Sequence, residues 1–551
     1  MPKVRLALAQ INPTVGDLAG NSNLIFEACK QAHQAGANLV LFGEMVLTGY
    51  PIEDLATRAS FIESSEQALA DLNQKLQNTG LSDLTVVLGH PSFAPEQLQR
   101  GWAIAQNSAS VLHQGRVIGR YAKHHLPNYS VFDEYRNFVP GDDLLTFELQ
   151  GQKFGVVICE DIWQAGGPVA QISENNCDVT LVLNGSPFEI DKDDRREGLI
   201  RNLALSQNTA VAYLNLVGAQ DDLVFDGDSL FIDRTGKVVA RAQQFENDLV
   251  LIDLDDSSIE VVGSAATHKN DDLWQIWNAL VVGLRDYVRK NGFKSVVLGL
   301  SGGIDSAVCA SIAADAIGAE NVYGVSMPSK YSSGHSKSDA EDSAERLGCH
   351  FETVAIEEMV QAFESSLGFK DLAAENLQAR VRGVILMGLS NTHGHLTLTT
   401  GNKTELAVGY STIYGDSVGG FAPIKDVEKT LVWELARWRN AEALRNGQTA
   451  PIPENSISKP PSAELRPGQV DQDSLPEYDL LDAILELYVG RHESFDTIVA
   501  EGFDPALVSK VIGLVDRSEW KRRQGAIGPK ITGMAFGRDR RLPITNRFRE
   551  N

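Results

Sequence analysis

The 551 residues predict an α/β protein of two domains, the first with two sheets between helices and the second built on a doubly wound parallel sheet. Three observations predict it. β-type and helical runs alternate through the first half, a short polar stretch interrupts them near the middle, and strand-like runs separated by helical ones resume beyond it. A chain of this length exceeds what one core usually organises, and 43% hydrophobic with 22% charged residues is ordinary globular composition.

In order, KVRLALAQI reads as a strand, NSNLIFEACKQAHQAGA as a helix, NLVLF as a strand, Ser60 to Gln77 as a helix and TVVLGH as a strand. NSASVLHQGRVIGRYAK and LFIDRTGKVVARA pair strand-like halves about HQGR and DRTGK, so hairpins and mixed sheets are expected, with KFGVVICED, VTLVLN and AVAYLNLVG as further strands. The small, polar GSAATHKNDD separates this part from an amphipathic helix over Leu273 to Arg289, giving domains of residues 1–265 and 266–551. Beyond it SVVLGLS, NVYGVSMPS, HFETVAI and HLTLTT are strand-like and helix-separated, so ligands belong at their C-terminal ends. Six prolines between Pro451 and Pro476 argue against any regular element there and for a long loop near a site.

A formal charge of -24 repels a phosphate backbone and disfavours nonspecific nucleic-acid binding. The basic residues Lys521, Arg522, Arg523, Lys530, Arg538, Arg540, Arg541, Arg547 and Arg549 are a local exception, read either as a solvated tail or as a lobe that meets a phosphorylated substrate. No basic leader precedes the first strand and no apolar run approaches a membrane span, so the protein is expected in the cytoplasm and off membranes. Five cysteines without a CxxC pair indicate neither a disulfide framework nor a zinc site.

Three reactive side chains stand beside predicted strand ends: Glu44 after LVLFG, Lys123 after RVIGRYA, and Cys159 after KFGVVI. Taken singly, the cysteine reads as a small buried hydrophobe, the lysine as a surface charge and the glutamate as a loop carboxylate. Together, attack on an amide carbon needs what they offer: a soft nucleophile, a proton acceptor and a positive donor where oxyanion charge develops. The lysine's charge is also expected to lower the cysteine pKa, and the Glu160 N–H to add a second oxyanion donor. The blocks GEMVLTGYP, KHHLPNYSVFDE and ICEDIW closely resemble the three catalytic blocks of the nitrilase superfamily. That resemblance implies an α-β-β-α sandwich, a Glu44-Lys123-Cys159 triad, and Glu134 as a further glutamate beside the lysine.

The LPNYSVFDE and NGSPFEIDK variants look most like the glutaminase domain of NAD synthetases, which implies that Tyr129, Ser186 and Lys192 contact glutamine. Arg195 and Arg196 compete with Lys192 for the substrate carboxylate.

In the second half, the strand SVVLGL runs into SGGIDSAV and then a helical stretch. The glycines let the backbone approach phosphate, and Ser301, Ser306, N–H groups and the helix N-terminus would hold the anion. The motif lacks the Gly-Lys-Ser/Thr ending of a Walker A loop. It resembles the loop of ATP pyrophosphatases, which implies ATP contacts along Gly299, Leu300, Ser301, Gly302, Gly303, Ile304, Asp305 and Ser306. A carboxylate among phosphate binders points to Mg²⁺ at Asp305.

TTGNKTELAVGYSTIYGD, ENLQARVRG, VEKT, KPPSAELRPGQ and KRRQ resemble segments of the NAD synthetase domain. By that resemblance Thr400, Lys429 and Ser462 serve ATP, Asn376, Arg380, Glu405 and Lys521 serve deamido-NAD, and Glu405 joins Asp305 at the metal. Ile413 stands where simpler relatives carry a lysine. The resemblance spans nearly the whole chain. It implies a homo-oligomeric, cytoplasmic ligase that amidates deamido-NAD through an adenylated intermediate, with glutamine as nitrogen donor and an enclosed passage for ammonia. Two rival readings are another ATP-pyrophosphatase amidotransferase and a scaffold with inactive sites.

Overall fold

The computed structural model describes residues 4–255, 258–263, 269–548 and 550. The expected boundary between residues 265 and 266, and Arg549 of the basic stretch, lie outside them. The chain forms two compact units, Met1–Asp272 and Leu273–Asn551.

The first unit is an α-β-β-α sandwich. One sheet has seven strands in the spatial order Ile259–Val262, Asp248–Leu254, Val4–Gln10, Leu39–Leu41, Thr85–Phe93, Ala105–His113 and Arg116–Ala122. The other has six, in the order Val238–Arg241, Leu230–Ile232, Ala210–Asn215, Val179–Asn184, Gln152–Ile158 and Leu145–Leu149. Pairing is parallel at the centre of each sheet and antiparallel at its flanks. The central strands are apolar because both of their faces are covered. Their side chains join one core, to which Leu6, Leu8 and Val86 contribute from the first sheet and Val156, Leu181 and Tyr213 from the second. Helices Leu18–Gln34 and Ala59–Asn78 cover the first sheet and Lys192–Gln207 the second. The expected HQGR hairpin turns through Gln114 and Gly115, both at positive φ, as a tight two-residue turn requires.

The second unit opens with the helix Asp272–Lys290, whose apolar stripe is buried. Its sheet is wholly parallel, in the order His350–Thr353, Val322–Ser326, Val296–Gly299, Leu396–Leu398. The first strand in sequence therefore lies between the second and the fourth. Strand order reverses at its C-terminal end, where doubly wound sheets bind ligands. A helical lobe with its own core around Leu481, Ile484, Val508, Val511 and Val515 completes the unit.

Two details differ from the sequence expectations. The proline-rich segment is not free of regular structure: it carries the helix Glu454–Ser458 and a 3₁₀ turn at Asp471–Asp473. Proline is tolerated at a helix start and disrupts only an interior, so Pro453 at the N-cap and Pro460 beyond the end bracket the helix. The C-terminal basic stretch is also not a simple solvated tail. Arg522 donates to the Ala407 and Val515 carbonyls and pairs with Glu519, while Lys530 pairs with Asp539. No helix among the described residues is long and apolar enough to cross a membrane.

Candidate active sites

The N-terminal constellation forms where strand ends converge. Glu44 stands just past Leu39–Leu41, where the chain passes so close to Gly89 that a Cβ there would meet the Met45 nitrogen at 2.3 Å. Lys123 directly follows Arg116–Ala122, its N–H held by the Asn107 carbonyl at 2.8 Å. Both side chains are buried, and the Lys123 ammonium lies 2.8 Å from Glu44 Oε1 and 2.7 Å from Glu134 Oε2.

Asn107 donates to Glu44 Oε1 at 2.6 Å, the Gly185 N–H to its Oε2 at 2.9 Å, and the Tyr50 hydroxyl to Glu134 at 3.0 Å. The lysine has lost one degree of freedom after another. Burial works against its charge, yet the carboxylates of Glu134 and Glu44 outweigh it and hold the ammonium protonated well above the usual range. Burial pushes the Glu134 carboxyl up to about 7 against the pull of Lys123.

Cys159 follows the strand Gln152–Ile158 with φ of 42°, a conformation uncommon for a residue with a Cβ and characteristic of strained functional turns. Asp161 fixes that elbow. Its carboxylate accepts from the Ile158 N–H at 3.0 Å, the His124 and His125 N–H groups at 3.1 and 2.8 Å, and the Tyr121 hydroxyl at 2.7 Å. One side chain thus ties the backbone after Lys123 to the backbone around Cys159.

The sequence expectation that Lys123 lowers the thiol pKa holds for the lysine's own pull but not for the net result. Lys123 does pull it down, but burial and the neighbouring Glu44 charge outweigh the pull, and the thiol is held well above its ordinary value. A resting thiol rather than thiolate makes an adjacent proton acceptor necessary.

The Tyr129 hydroxyl donates to both Glu160 oxygens, at 3.1 and 2.9 Å, with its ring half exposed. Ser186 is buried just past Val179–Asn184, its N–H bonded to Asn215 Oδ1 at 2.9 Å. Lys192 opens the helix Lys192–Gln207, 3.7 Å from Glu189. Of its competitors, Arg196 is sealed in a buried pair with Asp226, whereas Arg195 is exposed.

In the second unit the strand Val296–Gly299 turns through Ser301-Gly302-Gly303 into the helix Ile304–Ile317. Ser301 and Ser306 brace the turn: the Ser306 hydroxyl donates to the Gly303 carbonyl at 2.9 Å, and the Gly303 N–H donates to Ser301 Oγ at 3.2 Å. Leu300 and Ile304 are buried beneath it.

Asp305, Glu405 and Lys429 converge there. The Lys429 ammonium contacts Asp305 Oδ2 and lies 3.5 Å from Glu405 Oε1. Asn402 links the two carboxylate-bearing elements, since its amide donates to Asp305 at 2.9 Å while its oxygen caps the helix Lys403–Val408 through the Glu405 N–H. Burial pushes the Glu405 carboxyl up to about 8 despite Lys429.

Among the described residues no three His, Cys, Asp or Glu side chains gather to enclose an ion. Mg²⁺ does not require such a cage, since one or two carboxylates with substrate phosphates suffice. Two carboxylates already converging on a cation fit that role.

Asn376 and Arg380, one turn apart on the helix Leu372–His393, bond to a single loop: Thr412 donates to Asn376 at 2.9 Å and Arg380 to the Ile413 carbonyl at 3.2 Å. Lys521 donates to the Gly409 and Ser411 carbonyls of the same loop, both at 2.7 Å. Ile413 is buried, so its side chain supports the loop. Thr400 lies half-buried past Leu396–Leu398. Ser462 is exposed in the proline-rich segment, bonded to the Gln469 carbonyl.

Residues 5–263 match the carbon-nitrogen hydrolase family model and residues 276–525 the NAD synthase model. The chain is 46% identical to a glutamine-dependent NAD(+) synthetase of Acinetobacter baylyi, covering 100% of this chain and 99% of that one. It is 42% identical to the protein of that name from Aquifex aeolicus, over 99% and 100% of the two chains. A solved glutamine-dependent NAD+ synthetase from Acinetobacter baumannii, in complex with adenosine diphosphate, superposes with a TM-score of 0.77 at 44% identity over 98% of each chain.

Proposed function

The chain belongs to the glutamine-dependent NAD(+) synthetases, and on that premise we propose that Cys159, Glu44 and Lys123 release ammonia from glutamine while the Ser301–Ser306 loop and its neighbours activate deamido-NAD with ATP. The observation that carries the first half is the buried Lys123 ammonium, fixed between Glu44 and Glu134 beside the strained Cys159 elbow.

Glu44 takes the thiol proton as Cys159 sulfur attacks the carboxamide carbon. Lys123 and the Glu160 N–H stabilise the oxyanion, as donors held away from bulk water do without reorganising. The C–N bond breaks with the proton returning from Glu44 to the departing ammonia. Glu44 then deprotonates water, which hydrolyses the thioester to glutamate and restores the thiol. Glu134, through its contact with Lys123, positions the ammonium. Tyr129, Ser186 and Lys192 hold the amino-acid end of glutamine.

In the second unit the nicotinate carboxylate attacks the α-phosphorus of ATP and diphosphate leaves. Ammonia attacks the resulting acyl adenylate and AMP departs, giving NAD. Adenylation converts a poor leaving oxygen into a good one. Ser301, Ser306 and Lys429 hold phosphates, with Thr400 and Ser462 as further ATP contacts, and Asn376, Arg380, Glu405 and Lys521 receive the dinucleotide. Asp305 and Glu405 would hold Mg²⁺, whose chemistry is to neutralise phosphate charge.

The test is stoichiometry. Deamido-NAD, ATP and glutamine should yield NAD, AMP, diphosphate and glutamate in equal amounts. AMP formed only with another carboxylate acceptor would make this a different amidotransferase.

A further inference from the structure

Arg382 lies two residues beyond Arg380 on the helix Leu372–His393, and its position is unlike that of its neighbour. Arg380 is exposed and bonds to the Ile413 carbonyl. Arg382 turns toward the sheet, where its Nε donates to the Met327 carbonyl at 3.0 Å. Met327 directly follows the strand Val322–Ser326, which pairs with Val296–Gly299, so the Nε is anchored at the C-terminal edge of the parallel sheet, one strand over from the one that leads into the Ser301–Ser306 turn. A Cβ on Gly299 would meet the Met327 side chain at 3.2 Å, which shows how closely the two strand ends approach.

Among the described residues no carboxylate lies within ion-pair distance of Arg382, and the two that face it electrostatically, Glu464 and Asp416, are engaged elsewhere. Glu464 accepts from the Ser336 hydroxyl at 2.8 Å, and Asp416 from the Thr412 N–H at 2.7 Å. Burial pulls the guanidinium below the ordinary arginine value, with only partial relief from those two charges. Arg382 is partly buried, and a partly buried cation without a hydrogen-bonded anion gains from a ligand that supplies one. Arginine's fork matches phosphate geometry, and it cannot escape by losing its proton.

We propose that Arg382 is a further substrate-binding residue, its guanidinium directed at a phosphate oxyanion bound at the strand ends. ATP and deamido-NAD both carry that chemistry, and the inference rests on the synthetase reading of this unit. Bound phosphate would complete a shell that the Met327 carbonyl only begins. The Nε bond orients the fork, leaving the two terminal nitrogens to the ligand.

The test uses full-length Arg382→Met and Arg382→Lys with ammonium as nitrogen source, varying ATP and deamido-NAD separately. Methionine retains apolar bulk without charge. It should raise the KM of one substrate about tenfold or more, the usual consequence of losing a charge-assisted contact, while kcat changes less. The melting temperature of the ligand-free Arg382→Met protein should be unchanged or higher, because an uncompensated charge has been removed. A raised KM for ATP assigns the contact to ATP, and a raised KM for deamido-NAD to the dinucleotide. Arg382→Lys, which keeps charge but not the fork, should fall between wild type and Arg382→Met, and it carries the comparison if Arg382→Met fails to fold. Both KM values within twofold of wild type in the folded variants would overturn the inference, whatever their stability. Wild-type enzyme unable to form NAD under the same conditions would instead defeat the synthetase reading itself.

Discussion

At the scale of single residues, the proposed glutaminase site is governed by burial acting on charges. Glu134 has its carboxyl pushed up to about 7, so it is ionised above that pH and protonated below. Losing its charge weakens the hold on Lys123. The glutaminase kcat/KM should therefore decline as pH falls through about 7, and Glu134→Gln should lower activity and remove that limb from the pH profile; an unchanged limb in the variant would mean another group titrates. Arg196 illustrates the reverse situation, a buried cation paired with Asp226 and 3.5 Å from Asp228. Asp226→Ala removes the nearer partner, leaves only the 3.5 Å contact with Asp228, and should destabilise the first unit by up to about 3 kcal/mol, seen as an earlier denaturant midpoint.

Residue-level legibility follows the same physics. Glu44, Lys123 and Cys159 could be singled out because each stands just past a strand in a recognisable block. Asn107 and Tyr50 could not, since a polar residue within a strand or loop reveals no partner 63 or 84 positions away. Asp161 was visible only as the acid after Glu160. Its role in joining two strand ends is tertiary. Asn402 left a faint signal, an N-cap residue ahead of KTELAV, but not its bond to Asp305.

At the scale of elements, strand and helix order was legible from periodicity, whereas loops were legible only where backbone geometry demands particular residues. The Ser301–Ser306 turn is such a loop. Gly302 has φ of 78° and its missing Cβ would meet the Ser336 carbonyl oxygen at 2.3 Å. Gly302→Ala should distort the turn, with a local penalty above about 1 kcal/mol. It should weaken ATP-dependent synthesis while leaving glutamine hydrolysis in place, a split that separate assays of the two half-reactions detect. Asp305→Ala should abolish synthesis with glutamine or ammonium alike; near wild-type rates would contradict its placement among phosphate binders. The proline-rich segment shows why composition misled. Six prolines argue against regular structure on average, but a helix bracketed by them needs only that none falls inside it.

At the scale of the whole molecule, the chain forms two units with separate cores, and the central proposal is that nitrogen freed in one is consumed in the other. The overall charge of -24 and the paired basic residues near the C-terminus both fit an enzyme that meets phosphates at built sites rather than over a broad basic face. The most direct measurement is NAD formation by Cys159→Ala with glutamine and, separately, with ammonium. The glutamine-driven rate should fall by about a thousandfold or more, as for loss of a covalent nucleophile, while the ammonium-driven rate stays near wild type. Loss of both rates, or survival of the glutamine-driven one, would contradict the account.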